Sequence, residues 1–317
     1  MKEINKIDTL IQTNLGNNWK WIANDLSESE VGGFAYDNKL WSVELLSNDY
    51  NTTKYKRLPV CAIFTSSTSP TTVIALASVH LKARNSDNKK ADDDDKEEKK
   101  DDIVTESRKN ELRLTREEVE ALGYKDGVAS FLKRKALEVL NKHGSDSLAY
   151  ISILGDFNLS WTTGDPICSP EWPDSKSAWQ PLIDQEFRAL ISEGQATNAH
   201  EIMLSAGPHC FDNVLIHIHP QNSNESNLSI AVDLSKAVVA PWPPMLQEHV
   251  EGLKAIVDSN GCLKVIDSDN VSQCSESFRK IAGKGIRKSV LDEIFEHGSD
   301  HRALTAIFET TMVTNTN

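Results

Sequence analysis

Four short apolar segments of this chain each carry acids, amides or histidines at or beside one end, and this pattern constrains the fold most strongly. The segments are 73–84 with His80, 150–160 with Asp156 and Asn158, 209–216 with Asp212 and Asn213, and 297–308 with Asp300 and His301. Each apolar run has the length and composition of a β-strand. Because strand ends hold side chains rigidly, these polar groups can converge beside one sheet.

Helical patterns alternate with the predicted strands. We expect helices over 4–15, over 113–143 with a break near 123–127, and within 174–194, 245–259 and 275–295. Strands are expected over 60–66 and 72–80, which form a hairpin, and over 148–155, 211–219 and 303–309. Residues 34–46 are expected to form a strand pair or one bent strand. This alternation predicts a sheet-centred α/β or α+β protein.

We expect one domain over residues 1–317 with two insertions, at 85–104 and 220–296. Residues 89–102 hold eight acids and five lysines, without an aromatic or β-branched residue. Such a composition buries too little apolar surface to offset the entropy of ordering it, so 85–104 is predicted to be a disordered acidic insertion. The segment 220–296 is longer than the connection requires, and its role stays open between a lid, a partner surface and decoration.

Charge and hydropathy exclude some classes of protein. The chain has 34 basic and 47 acidic residues, a net charge of −13, which disfavours general binding to nucleic acid through a positive surface. A nucleic-acid enzyme that recruits divalent cations is not excluded, because the metal supplies local positive charge. No apolar stretch approaches the roughly 20 residues of a membrane-spanning helix. Five cysteines in no metal-binding spacing predict free thiols or one or two disulfides, which does not fix the compartment.

The polar groups at the strand ends suit one kind of chemistry. Carboxylate and amide oxygens are the ligands that Mg²⁺ prefers, with Mn²⁺ as the alternative. Histidines near carboxylates donate hydrogen bonds to phosphate or move protons near neutral pH. A further aspartate can hold a water in line with the scissile bond. Together these parts predict metal-assisted hydrolysis of a phosphate ester.

The motifs, in their order along the chain, resemble those of the endonuclease/exonuclease/phosphatase superfamily. The resemblance rests on His80-Leu81, Gly155-Asp156-Phe157-Asn158, Asp212-Asn213 and Ser299-Asp300-His301-Arg302, and it extends from about residue 34 to 308. It implies an α+β fold of the deoxyribonuclease I type, a four-layer α/β/β/α sandwich with the active site at one rim of the paired sheets.

The resemblance also implies a role for each site residue. Asp156 orients or activates water, Asn158 holds the phosphate or a metal-bound oxygen, and Asp300 is a metal ligand. His80 and His301 contact the phosphate from two sides, and Asp212 holds the imidazole of His301. Glu30, with Glu28 as the alternative, falls where such proteins carry a carboxylate that supports the first histidine, and it is counted among the metal ligands with Asp156 and Asn158. Asn213 is expected to be structural.

The N-terminal part of the chain departs from the superfamily pattern. The strand ending in a metal-site Asn and the later strand ending in the main metal-ligand Glu are not evident, so the chain is expected to lack the first two strands and to be poorly active. Among substrates, the segment 209–213, preceded by Thr197-Asn198, resembles deoxyribonuclease-like members, which implies hydrolysis of phosphodiester bonds of nucleic acid. Two alternatives stay open: a phosphatase or phospholipase acting on inositol phosphates or sphingomyelin, and a truncated or degenerate member without catalysis that acts as an interaction protein.

Overall fold

The computed structural model describes residues 2–24, 32–68, 72–81, 113–143, 148–159, 175–191, 212–220, 228–232, 238–239, 285, 304–305 and 310–314. The helices are α1 (Lys2–Leu15), α2 (113–122), α3 (Val128–His143) and α4 (Ser175–Ile183), with a 3-10 turn at Thr52–Lys54. The strands β1 to β7 are Trp19–Ala23, Gly33–Asp37, Trp41–Leu45, Val60–Ser66, Thr72–His80, Leu148–Asp156 and Arg188–Ala189. The strands β8 to β12 are Asp212–Pro220, Leu228–Val232, Val238–Val239, Leu304–Thr305 and Thr310–Thr314.

The largest sheet has six strands in the order β3-β4-β5-β6-β8-β7. Strands β4 and β5 form the expected antiparallel hairpin, and β6 pairs antiparallel with β8. The central pair β5–β6 is parallel. A parallel pair requires a long crossover connection, and α2 and α3 lie within the chain that joins these two strands. The α+β class and the central multi-stranded sheet predicted from the sequence are confirmed.

One face of this sheet is covered by helices. Odd-numbered residues of β5, such as Val73, Ala75 and Ala77, are fully buried and belong to one core with residues of α2 and α3. Alternate residues of a strand point to opposite faces, so the odd-numbered positions face the helices. Trp179 of α4 joins this core against Phe157, with 5.4 Å between ring centroids.

A second apolar cluster covers the opposite face. Ala62 and Phe64 of β4 pack with Phe34 of β2, and the partly buried Tyr36 and Trp41 join them. The ring of Phe64 makes edge-to-face contacts with the rings of all three of those aromatic residues. The antiparallel β1–β2 sheet therefore lies against the six-stranded sheet, and the even-numbered positions of β5 face it.

The loop between β3 and β4 is fixed to the helical layer by hydrogen bonds. The backbone N–H of Asn51 donates to the carbonyl of Asp126 at 2.9 Å, and its Nδ2 donates to Asp126 Oδ2 at 3.1 Å. The backbone N–H of Lys56 donates to Oε1 of Glu118, a buried carboxylate in α2, at 3.0 Å. Helix α2 and the turn after it thus hold the loop between β3 and β4 in place.

Some sequence expectations need correction. Residues 34–46 do form two strands, but β2 pairs with β1 and β3 pairs with β4, so the two do not pair with each other. Strand β1 was not expected as an element of the fold. The segment 303–309 is described only at β11, which pairs with β10, and β12, which was not expected, pairs with β9.

Other expectations fall outside the described residues. They include the acidic insertion at 85–104 and the helices at 245–259 and 275–295, of which only Gly285 is described and is helical. Within 220–296 the structure describes β9 and β10 and the single residues Pro220 and Gly285. Among the described residues, no helix combines the length and apolar character needed to cross a bilayer.

Candidate functional site

Three polar residues lie in one row across neighbouring strands of the six-stranded sheet. His80 at the end of β5 is the register partner of Asp156 at the end of β6, and Asp156 is the register partner of Asp212 at the start of β8. Register partners on adjacent strands point to the same face and have their Cβ atoms about 5 Å apart. Even numbering on β5 places this row on the face toward the β1–β2 sheet.

The imidazole of His80 and the carboxylate of Asp156 approach each other within this row. His80 Nε2 is 3.7 Å from Asp156 Oδ2, and the side chains are 52% and 12% exposed. The strand pairing continues one residue further, because the N–H of Leu81 donates to the carbonyl of Asp156 at 2.9 Å. The histidine is therefore open to a ligand while the aspartate beside it is held in the sheet.

The Asp156-Phe157-Asn158 turn fixes the orientation of the aspartate. Asp156 Oδ1 accepts from the backbone N–H of Asn158 at 2.7 Å, an Asx-turn that reverses the chain after β6. Asn158 adopts a φ of 50°, a left-handed conformation that asparagine tolerates better than most residues. Phe157 between them is fully buried and anchors the turn in the helix-face core.

The side chain of Asn158 bridges two strands. Its Nδ2 donates to the carbonyl of Leu81 at 2.6 Å and to Asp156 Oδ2 at 2.9 Å. Both amide hydrogens are used, so the amide orientation is fixed and Oδ1 is the remaining polar atom of this side chain. The predicted catalytic asparagine thus also ties the β5 end to the β6 end.

Gly155 permits the close approach of β5 and β6 at this point. Its φ is 134°, and a Cβ placed there would collide with the carbonyl oxygen of Val79. Only glycine combines that backbone conformation with such close packing. The glycine of the Gly-Asp-Phe-Asn motif is therefore required by the geometry that brings His80 to Asp156.

Asp212 and Asn213 have different roles. Asp212 is 8% exposed and continues the row of polar residues. Asn213 is 1% exposed, and its amide exchanges hydrogen bonds with the backbone N–H and C=O of Ile191 while also accepting from the N–H of Val214. Asn213 therefore joins β8 to the end of the 188–191 segment, and the expectation that it is structural is confirmed.

Three predicted site residues, Asp300, His301 and Glu30, lie outside the described residues, as does the alternative Glu28. Their placement, including the predicted contact of Asp212 with His301, stays a prediction. The structure brings together His80, Asp156, Asn158 and Asp212, which come from three separate strands and one turn.

Three of the described residues carry oxygen atoms of the kind that bind a divalent cation. Asp156 and Asp212 supply carboxylate oxygens and Asn158 supplies an amide oxygen, which are the ligand types that Mg²⁺ takes. Within the part of the chain that the structure describes, no three His, Cys, Asp or Glu side chains are grouped so as to hold a metal ion.

A cavity of about 390 Å³ adjoins this row on its His80 side. It lies where the end of β1, the start of β2 and the loop after β3 meet the sheet positions Val60, Ser78 and His80. Asn24, Arg57 and Leu58 are further wall residues. His80 belongs to both features, since it faces Asp156 in the sheet and also lines the cavity.

Sequence reasoning did not select the cavity residues Asn24 and Arg57. Asn24 directly follows β1, a strand that was not expected, and its Nδ2 lies 3.4 Å from the carbonyl of Pro59. Arg57 lies in the loop before β4. A polar residue next to a strand end is the signal that selected Asp156, and applied to β1 it would have selected Asn24, whereas Arg57 lies three residues before β4 and carries no such signal.

Comparison with known proteins yields distant structural similarity. No protein-family model and no curated protein matches the chain. It is similar to a humanized TDP2 from D. rerio at 9% identity and a TM-score of 0.34, over 73% of this chain and 71% of that one. It is similar to an endonuclease/exonuclease/phosphatase family protein from Bacteroides thetaiotaomicron at 9% identity and a TM-score of 0.32, over 68% and 72% of the two chains.

A further solved structure, D. rerio TDP2 complexed with a single-strand DNA product, is similar at 10% identity and a TM-score of 0.31, over 73% of this chain and 72% of that one. The Bacteroides protein carries the name of the superfamily that the sequence motifs resemble.

Proposed function

We propose that the chain is a metal-dependent phosphodiesterase that acts on nucleic acid, with its reaction centre at the row His80, Asp156 and Asp212. The observation that carries this proposal is the register that aligns these three residues across β5, β6 and β8. Three residues from distant parts of the chain are held on one face at one rim of the sheet, which is the arrangement that a rigid reaction centre requires.

The side chains of His80 and Asp156 differ in exposure, and this difference supports a different role for each. The half-exposed imidazole of His80 can donate a hydrogen bond to a phosphate oxygen that approaches from solvent. The carboxylate of Asp156 is more buried and is oriented by two hydrogen bonds from Asn158, so it suits the task of holding an attacking water. A positioned proton acceptor contributes about 10²–10⁴-fold to such a reaction.

A divalent cation, Mg²⁺ or Mn²⁺, would neutralise charge on the phosphate and lower the pKa of a bound water. Among the described residues, the carboxylates of Asp156 and Asp212 and the Oδ1 of Asn158 are the groups that would hold it. In the same proposal Asp300 and Glu30 add ligands and His301 contacts the phosphate, as the motif resemblance implies. These residues bind and orient the substrate, and the scissile ester belongs to the nucleic acid.

The test is hydrolysis of a labelled oligonucleotide by the full chain in Mg²⁺ and in Mn²⁺. We expect slow cleavage that stops when EDTA is added, and an Asp156→Asn variant slower still by about 10²-fold or more. Asp184→Asn is the matched control, because Asp184 is an exposed aspartate at the end of α4. Equal rates for the two variants would overturn the proposal, and the absence of cleavage of any phosphodiester would favour the interaction-protein alternative.

A further inference from the structure

The two end strands of the six-stranded sheet differ in length. Strand β7 at one end has two residues, Arg188–Ala189, whereas β3 at the other end has five, Trp41–Leu45. A very short end strand offers few backbone groups to another chain, and a longer one offers a row of them. Among the described residues β3 pairs with β4 alone, so β3 is the edge at which another strand can extend this sheet.

The hydrogen bonds to β4 determine which backbone groups of β3 lie on the outer side. The N–H of Leu46 donates to the carbonyl of Cys61, and the carbonyl of Leu40 accepts from the N–H of Ser67. In an antiparallel pair such bonds involve every second residue of a strand. The even-numbered residues of β3 therefore bond to β4, and the odd-numbered residues direct their N–H and C=O groups away from it.

The side chains of β3 divide between the two faces of the sheet. The odd-numbered residues lie on the face toward the β1–β2 sheet, where Leu45 is 40% exposed. Ser42 and Glu44 lie on the opposite face, and both are exposed. Glu44 is the one charged residue of this strand. A strand that pairs with β3 must therefore cover an apolar side chain on one face without placing a second acid beside Glu44 on the other.

A second copy of β3 meets both conditions when it pairs antiparallel about the central residue of the strand. Leu45 then lies opposite Trp41 of the second copy, so an exposed apolar side chain gains an apolar partner. Glu44 lies opposite Ser42 of the second copy, whose hydroxyl can donate to the carboxylate. A shift of two residues places Glu44 opposite itself or opposite a leucine, and parallel pairing in register also places the two acids side by side.

We propose that two copies of the chain associate through β3, antiparallel and centred on Val43, so that their six-stranded sheets form one continuous sheet. The interface has two-fold symmetry, and the outward backbone groups of the odd-numbered residues bond across it. This association does not depend on the proposed hydrolase activity. Because a five-residue strand pair buries a small area, the dissociation constant is expected in the range of about 1–100 μM.

Analytical ultracentrifugation of the full chain at increasing concentration measures the association. We expect the mass to rise from 35.2 kDa towards twice that value. Leu45→Lys places a charge against Trp41 of the second copy and should raise the dissociation constant at least about tenfold. Leu10→Lys is the matched control, because Leu10 is a 64% exposed residue of α1, and it should change the constant by less than about twofold.

A cross-link tests the register. Residue 42 of one copy is expected opposite residue 44 of the other, at a pair without backbone hydrogen bonds whose Cα atoms are about 4.5 Å apart, within reach of a disulfide. Ser42→Cys chains mixed with Glu44→Cys chains should therefore form a covalent dimer with one chain of each under mild oxidation. Either variant alone should form no more covalent dimer than the unchanged chain, because identical positions lie about 7–8 Å apart.

The outcomes decide between this dimer and its alternatives. A mass that stays at 35.2 kDa up to about 0.5 mM overturns the proposal, as does a dimer that Leu45→Lys weakens no more than Leu10→Lys. Covalent dimers of Glu44→Cys alone overturn the register. Melts followed by circular dichroism report whether each variant is folded. If Leu45→Lys does not fold, the cross-link at the exposed residues Ser42 and Glu44 decides, and its absence overturns the proposal.

Discussion

His80 and Asp156 are register partners on the parallel strands β5 and β6, with 3.7 Å between Nε2 of the histidine and Oδ2 of the aspartate. The approach depends on the turn that follows β6. Gly155 removes a Cβ that would meet Val79, and Asn158 links the carbonyl of Leu81 to the carboxylate of Asp156. The distance between the two groups is therefore set by the close backbone packing at Gly155 and by the hydrogen bonds of the Asn158 side chain.

Gly155→Ala is predicted to destabilise the fold. The added Cβ meets the carbonyl of Val79, and alanine is strained at a φ of 134°. We expect a loss of about 2 kcal/mol or more in the free energy of unfolding, measured with urea. Gly16→Ala is the control, because Gly16 has a φ of 104° but no atom within 4 Å of the added Cβ. A loss no greater than that of the control would contradict the packing argument.

Asn158→Gly separates the side chain from the backbone of the turn. Glycine accepts a φ of 50° without strain, so the variant removes only the hydrogen bonds to Leu81 and Asp156. We expect a loss of about 1–3 kcal/mol in the free energy of unfolding, because the buried carbonyl of Leu81 loses a partner. Glu186→Gly, at an exposed residue with a φ of 64°, should change it by less than about 1 kcal/mol.

Asn51→Ala should loosen the loop between β3 and β4. The side chain accepts from the N–H of Thr53 and donates to Asp126, so alanine removes both a cap and a tertiary hydrogen bond. We predict a loss of about 1–2 kcal/mol in the free energy of unfolding, measured by thermal unfolding. Asn48→Ala in the same loop is the control, with an expected change within about 0.5 kcal/mol, since Asn48 is exposed. Similar losses in the two variants would contradict the assigned role of Asn51.

Cys61 predicts a pH dependence of stability. Burial in β4 raises the pKa of its thiol from 9.0 to about 12, and burial also raises the pKa of the Tyr50 and Tyr55 phenols. Between pH 9 and 12 the folded chain keeps a thiol proton that the unfolded chain has lost. Stability should therefore fall as pH rises through this range, by up to about 1.4 kcal/mol per pH unit from the thiol.

The measurement for this prediction is the free energy of unfolding at pH 8, 9 and 10 for the unchanged chain and for Cys61→Ala. The alanine variant should be less stable at pH 8 because a buried side chain is shortened, yet its stability should fall less steeply with pH. Equal slopes for the two proteins would show that the thiol does not titrate as the structure predicts.

The core of the site could be predicted from the sequence because its signals are local. An apolar run that stops at Gly155-Asp156 marks the end of β6, and the hairpin of β4 with β5 places His80 at the end of the next strand. Parallel pairing in register then brings the two residues together. The structural role of Asn213 was also predicted, and its hydrogen bonds to Ile191 confirm it.

The cavity could not be predicted in the same way. The cavity forms because β2 pairs with β1 in a separate sheet, although β2 and β3 are close enough in sequence to form a hairpin. The pairing of β2 with β1 is stabilised by the packing of Phe34 and Tyr36 on Phe64. These contacts join residues that are distant in sequence, so no local pattern predicts them. Asn24 and Arg57 are brought to the cavity wall only once both sheets are packed.

The central claim is that His80 and Asp156 act as one reaction centre, and a double-mutant cycle on kcat/KM for oligonucleotide cleavage tests it most directly. His80→Asn and Asp156→Asn should each lower kcat/KM by about 10²-fold or more, and the double variant should fall far short of the product of the two losses. Losses that multiply, or a kcat/KM for either single variant within twofold of Asp184→Asn, would contradict the account.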